Sequence, residues 1–450
     1  MPRTKASKEL SCFVAACRER KVDDFLRDRA ELVNERYSSF IRNIDPSKKI
    51  YGLNTFPGHK EGQAPSPDYI SRYQSDLIEN HCLPGKTFFP NDFGIFVSFA
   101  KAYSISSGST LVSGDFYRRL LTLLPDRNYA PQIPRNLSYS SGDVIPASHW
   151  ARRTLQLMDG YRLQPGEGMA LINGSFVHVG GTVWAFTHLD RIWQGFLQNS
   201  HLFFSTFASV PYAPLRGDDP ELSRIFDFLY EGRKEGRGDS QGPVSIRCTE
   251  EIVSAFYSSL QQLVLELEGS LRRPSGNPLI VGDENPVSMP SGSFVNPGLS
   301  LIQGQVIDAI LMLAWYVYRR IEYLLSGSVE NVARDLSDTG TPLGWIQWPK
   351  AARAKLERMR SRYSRRVFVS GDSTSHGVED FWSNGLSLVE DMESICQEFE
   401  ELLDWEHAVI KAAGAGQADT EVSRSTDAGV PDAKLEQFSF IQASRMPLPM

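Results

Sequence analysis

Long hydrophobic runs are missing from this chain of 450 residues: the longest, AILMLAWYVY at Ala309 to Tyr318, follows Gln305 and Asp308 and is too short to span a bilayer. It is expected to be a buried helix, and no membrane association is expected. Cysteine is scarce and odd in number. Cys12, Cys17, Cys82, Cys248 and Cys396 show no paired metal-ligand spacing, so neither a disulfide framework nor a zinc site is implied. The eight histidines contain no HExxH, and no GxSxG nucleophile elbow occurs. CLPGKT at Cys82 to Thr87 ends like a phosphate-binding loop, but Asn80 stands where its first glycine should be. Positive charge is also lacking: the net charge of -7 gives no support to nucleic-acid binding, which needs a basic footprint. The N-terminus, MPRTKASKEL, is polar and carries no apolar signal segment, so a cytoplasmic protein is expected.

Strand signals are sparse too, whereas helical periodicity is strong. Apolar residues recur at helical spacing over Glu250 to Leu271 and from Asn296 to Leu325, and a last long helix is expected over Val378 to Ala413. The expectation is an all-α fold, a long-helix bundle, in one helical domain over 1–412. Its C-terminal helices occupy 300–412, and a small, polar tail over 413–450 is expected to be unstructured. Glycine and proline cluster at Lys48 to Asp68, Asn128 to Pro146 and Pro274 to Gly298, which places the chemistry-bearing loops within 48–300.

One of those loops, RNLSYSSGDVIPASHW at Arg135 to Trp150, contains Ser140-Ser141-Gly142-Asp143. A Ser-Ser-Gly backbone can cyclise: the nitrogen of Gly142 attacks the carbonyl carbon of Ser140, and two dehydrations leave an exocyclic methylidene at residue 141. Glycine suits this because a residue without Cβ folds back tightly. Alone, Ser-Ser-Gly-Asp is equally ordinary turn chemistry. It has company, in one order along the chain: YGLNTFPG at Tyr51 to Gly58, EGMALINGS at Glu167 to Ser175, QGPVSIRC at Gln241 to Cys248 and SGSF at Ser291 to Phe294.

From about Tyr51 to Leu388 this set resembles the aromatic amino-acid ammonia-lyases and aminomutases, the histidine, phenylalanine and tyrosine enzymes built on a 4-methylidene-imidazol-5-one (MIO) group. Ser141, Gly142, Asp143, Pro146 and His149 match the central motif, with Ser140 in place of its alanine. The resemblance implies a homotetramer of long helices whose active sites draw on several subunits. It implies an MIO formed autocatalytically from Ser140, Ser141 and Gly142, and a small-molecule amino-acid substrate. Tyr51 matches the general base, and its phenolate would need stabilising because a free phenol titrates near pH 10. Asn173 matches the asparagine that holds the ring or the substrate amine. Arg247 matches the arginine on the substrate carboxylate, where a guanidinium gives bidentate geometry, with Gln241 beside it. Phe294 matches the position beside the prosthetic group, although Ser293 replaces the usual asparagine. Glu379 in SHGVEDFWSNG matches the carboxylate of histidine enzymes, and His81 falls about where a selectivity residue stands.

Two departures stand out. Val244 occupies the place of a family tyrosine, which removes a phenol from the site. Phe56-Pro57-Gly58-His59 replaces Gly-Phe-Gly after the base, which stiffens the loop. The expected activity is elimination of ammonia from a histidine- or tyrosine-like amino acid to give an arylacrylate. The same residues also suit an aminomutase making a β-amino acid, and a repurposed or inactive lyase scaffold is the non-catalytic alternative.

Overall fold

The computed structural model describes residues 8–45, 47–138, 141–207, 219–233, 242–337, 342–363, 373–415 and 432–441. In chain order its helices are α1 Lys8–Glu19, α2 Asp24–Arg42, α3 Ile70–His81, α4 Asn91–Ser106 and α5 Gly114–Leu123. Then come α6 Val144–Gln156, α7 Glu167–Ile172, α8 Phe176–Thr206, α9 Pro220–Leu229 and α10 Val244–Arg247. The last are α11 Thr249–Arg272, α12 Pro297–Leu325, α13 Trp348–Tyr363, α14 Gly385–Ala415 and α15 Asp432–Glu436. The only named strands among the described residues, Leu279–Val281 and Val287–Met289, pair as a short antiparallel hairpin with Leu279 opposite Met289. The all-α expectation holds.

Local chemistry explains several helix starts. The Asp23 carboxylate accepts from the Leu26 N–H at 2.9 Å to begin α2, the Ser113 hydroxyl accepts from Phe116 at 3.2 Å to begin α5, and Asp219 precedes Pro220 at the first turn of α9. The centre of the bundle is α8 against α4 and α14, with α12 laid between α14 and α11. α4 is buried on nearly all sides, from Phe93 through Ser106, as a helix without an exposed face must be. The segment Glu167–Thr206 and α12 are long and apolar enough to cross a membrane by length and composition, but the apolar window of the first is wholly buried inside the protein.

Two boundaries differ from the sequence reading. The last long helix begins at Gly385, because Thr374 and Glu379 pair as an isolated bridge and His376 and Asn384 take positive φ, which ends helical geometry between them. The tail is also not uniformly without structure. Residues 432–441 dock on α8, where Asp190 accepts from the Ser439 hydroxyl and the Phe440 N–H, each at 2.6 Å, and Phe438 and Phe440 are buried.

Candidate active site

Two of the motif loops meet through the side chain of Gln74 on α3. Its Nε2 donates to the Gly52 carbonyl at 3.0 Å and its Oε1 accepts from the Gly168 N–H at 2.7 Å, so YGLNT and EGMAL are tied to one helix. Gly52 has φ +71°, and a Cβ there would stand 2.4 Å from that of Met169, so only glycine lets the Tyr51 loop lie against α7. Tyr73, one residue earlier on α3, donates its hydroxyl to the Thr55 carbonyl at 2.6 Å. Glu167, fully buried at the start of α7, accepts from Ser113 N–H, Tyr161 hydroxyl and Gln164 N–H, and its role is to hold the motif rather than to react.

These loops enclose a cavity of about 850 Å³ lined by Tyr51, His81, Ser141, Asn173, Phe294 and Glu379. Six of the residues singled out in the sequence therefore share one space, although they lie up to hundreds of positions apart. Ser140 and Gln241 lie outside the described residues. Gly142 sits at φ +78°, where an added Cβ would meet Phe294 at 3.3 Å and Asn173 Oδ1 at 3.5 Å. Asn173 follows the last turn of α7 and is buried, and its Oδ1 has no hydrogen-bond partner. A buried amide oxygen left unpaired is costly, and such positions call for an explanation.

Asp143, next to Gly142, is buried at φ +49° and accepts hydrogen bonds from the Ser138 hydroxyl and the His178 N–H at the start of α8. Burial outweighs those bonds and pushes its carboxyl up to about 6. The Tyr51 phenol oxygen accepts from the Gly58 N–H at 3.3 Å. Burial raises its pKa, Glu379 and Glu61 raise it further, and only the Gly58 bond opposes them. Within a single chain the phenolate is therefore disfavoured, because burial first and then the two carboxylates outweigh the one Gly58 N–H that supports it. Glu379 is held by donors from Thr374 at 2.7 Å and Ser375 at 2.9 Å. His81 ends α3 with its Nδ1 2.6 Å from the Leu77 carbonyl.

Val244 and Arg247 are not among the residues that line this cavity within one chain. Val244 is 62% exposed and borders a separate hollow with Trp315, Tyr316 and Arg319, while Arg247 Nε donates to the Gly242 carbonyl at 3.1 Å. α10 is held against α12 by the first residue of α11: the Thr249 hydroxyl donates to the Ile246 carbonyl of α10 at 2.7 Å and meets the hydroxyl of Tyr316 on α12 at 2.6 Å. Lining residues not anticipated from the sequence include Lys60, Tyr69, Asp76 and Asn277. Nothing in their local spacing marked them, because surface loops and helix faces carry such residues everywhere.

A bundle of long helices gathers Tyr51, Ser141 and the unpaired Asn173 around one cavity. A family model described as aromatic amino acid lyase matches residues 12–428, and the chain belongs to that family. It is an enzyme of the ammonia-lyase type. A probable histidine ammonia-lyase of Thermoplasma acidophilum is 23% identical over 408 residues, covering 82% of this chain and 81% of that protein. Among solved structures, the ergothioneine-degrading ergothionase of Treponema denticola superposes with a TM-score of 0.81 at 17% identity, covering 98% of this chain and 97% of that one. The phenylalanine aminomutase of Pantoea agglomerans superposes at 0.80 with 18% identity, covering 94% and 91%. At such identities the superpositions establish the fold alone.

Proposed function

We propose that the protein eliminates ammonia from an aromatic α-amino acid of histidine- or tyrosine-like type, using an MIO group formed from Ser140, Ser141 and Gly142. The observation that carries this reading is the buried, unpartnered Oδ1 of Asn173 facing Gly142 on a cavity shared with Tyr51, His81, Phe294 and Glu379. The residues present suit such a group: Gly142 is held with positive φ against Phe294 and Asn173, where a methyl would crowd Phe294 and touch Asn173. When present, the group supplies an electrophile that turns the substrate amine into a better leaving group.

The chain's own residues do the rest. Asn173 Oδ1 accepts a hydrogen bond from the ring or from the substrate amine. Tyr51 Oη removes the β-proton as the phenolate, a form that burial first and then Glu379 and Glu61 disfavour. Phe294 packs the aromatic part of the substrate beside the reacting atoms, and His81 and Glu379 meet its polar end. The α-carboxylate goes to Arg247 of a second copy, since α10 does not face the cavity of its own chain and Val244 beside it is exposed. That arrangement requires an oligomer, and a homotetramer is the assembly that the resemblance implies. Ammonia and an arylacrylate leave; return of the amine at the β-carbon would make the enzyme an aminomutase, and product analysis separates the two.

The test is the intact mass of purified protein with peptide mapping across Arg135 to Trp150. A deficit of two waters in that peptide supports the reading, and a mass equal to that of the encoded sequence overturns it.

A further inference from the structure

The proposed chemistry makes no use of the most deeply buried amine beside the cavity. Lys101 lies on α4 with 0% of its surface exposed, in a helix segment, FGIFVSFAKAYSIS, whose other members are almost all small or apolar. Its Nζ donates to the Ala170 carbonyl at 2.5 Å and reaches the Asn173 carbonyl at 3.4 Å, and it stands 4.3 Å from the ring centroid of Phe176. Ala170 belongs to the last turn of α7, where carbonyls lack helical donors. Asn173, Gly174 and Ser175 then turn the chain into α8. Burying an ammonium is expensive unless its partners are well placed. Burial brings Lys101 down to about 7. Such a group is not needed to fill space, since a methionine would occupy the same volume.

We propose that Lys101 is a positioning residue: by tying the carbonyls of Ala170 and Asn173 to α4, it fixes the turn after α7 so that the Asn173 side chain faces Gly142. This rests on the ring-forming reading above. The amine touches neither substrate nor ring. Its effect passes through the backbone of Asn173, and it governs both ring closure and turnover.

The experiment compares Lys101→Met, Lys101→Arg and a control, Ile307→Ala, which opens the α12 core away from the cavity. For each, the melting temperature, the two-water deficit in the peptide spanning Arg135 to Trp150, and kcat and KM are measured on the full chain. Lys101→Met is expected to lose most of the deficit, with kcat down about a hundredfold, the scale of a misplacement of about 1 Å, and KM changed much less. Lys101→Arg, which keeps donors at the same carbonyls, is expected to restore a substantial part of both. Ile307→Ala is expected to lower the melting temperature while leaving the deficit intact. A folded Lys101→Met with full deficit and normal kcat overturns the inference while leaving the function reading in place. Should Lys101→Met fail to fold, a folded Lys101→Arg that has lost the deficit overturns it as well, and one that retains the deficit supports it. If neither variant folds, the amine serves the fold as a whole and the inference is overturned. A wild-type chain without the deficit overturns the function reading and this inference together.

Discussion

The side-chain oxygen of Asn173, buried and without a partner, lies 3.5 Å from where a Cβ on Gly142 would stand. That pair joins two motifs separated by a helix and a long turn. Gly142→Ala should abolish the two-water mass deficit, because the new methyl meets both Phe294 and Asn173 and an L-residue at φ +78° is strained by about 1–2 kcal/mol. Intact-mass measurement on the purified variant checks this; an unchanged deficit would remove Gly142 from the proposed ring.

Tyr51→Phe removes the proposed proton acceptor while keeping the ring that packs beside the cavity. A fall in kcat of about 10²–10⁴ is expected, with KM and melting temperature little changed, since the lost hydrogen bond from Gly58 is long at 3.3 Å. Steady-state kinetics decide it, and a variant with normal kcat would assign the base elsewhere.

The pH dependence follows from the surroundings of the same phenol. Burial, then Glu379 and Glu61, hold Tyr51 above its ordinary value, so in the free enzyme it is protonated through the neutral range. A step that needs the phenolate must speed up as pH rises. Glu379→Gln removes one of the charges that oppose ionisation and should move the rising limb of kcat/KM to lower pH. A shift to higher pH would contradict the electrostatics described here.

Tyr51 lines the cavity and Arg247 of the same chain does not. Arg247→Ala and Tyr51→Phe should each be inactive alone. When the two variants are unfolded and refolded together, mixed assemblies should recover a fraction of wild-type activity. Absence of recovery, with mixed oligomers demonstrated by mass, would contradict a shared site.

Away from the site, Arg320 and Glu406 are both fully buried, with Nη2 donating to Oε2 at 2.9 Å, and Arg320 also donates to Ser200 at 2.5 Å. Arg320→Met leaves a buried carboxylate without its cation, and a loss of about 3–5 kcal/mol is expected in denaturant unfolding. A loss near zero would mean that Glu406 is comfortable as a neutral acid, the direction in which burial already pushes it.

The long helices were legible because burial imposes a period that sequence displays: Glu250 to Leu271 became α11, and the run from Asn296 became α12, each within about a residue. The start of α14 was not legible. Val378 and Phe381 look like the first turn of an apolar helix, yet both are exposed, and the bridge between Thr374 and Glu379 keeps that stretch out of the helix. Phe438 and Phe440 were hidden in a small, polar tail for the complementary reason: two aromatic residues give no period, and only the packed surface of α8, Phe228 of α9 and Tyr257 of α11 gives them something to cover.

By itself the sequence, through the order of its motifs and their resemblance to a known family, implied that Tyr51, Ser141, Gly142, Asn173 and Phe294 belong together. Tertiary structure decided where each lies and what surrounds it. It left Val244 and Arg247 out of the cavity lining, set two carboxylates near the Tyr51 phenol, and buried Lys101 behind Asn173. Those outcomes depend on which helices pack side by side, and hence on distances between residues far apart in the chain, which no local pattern of side chains encodes.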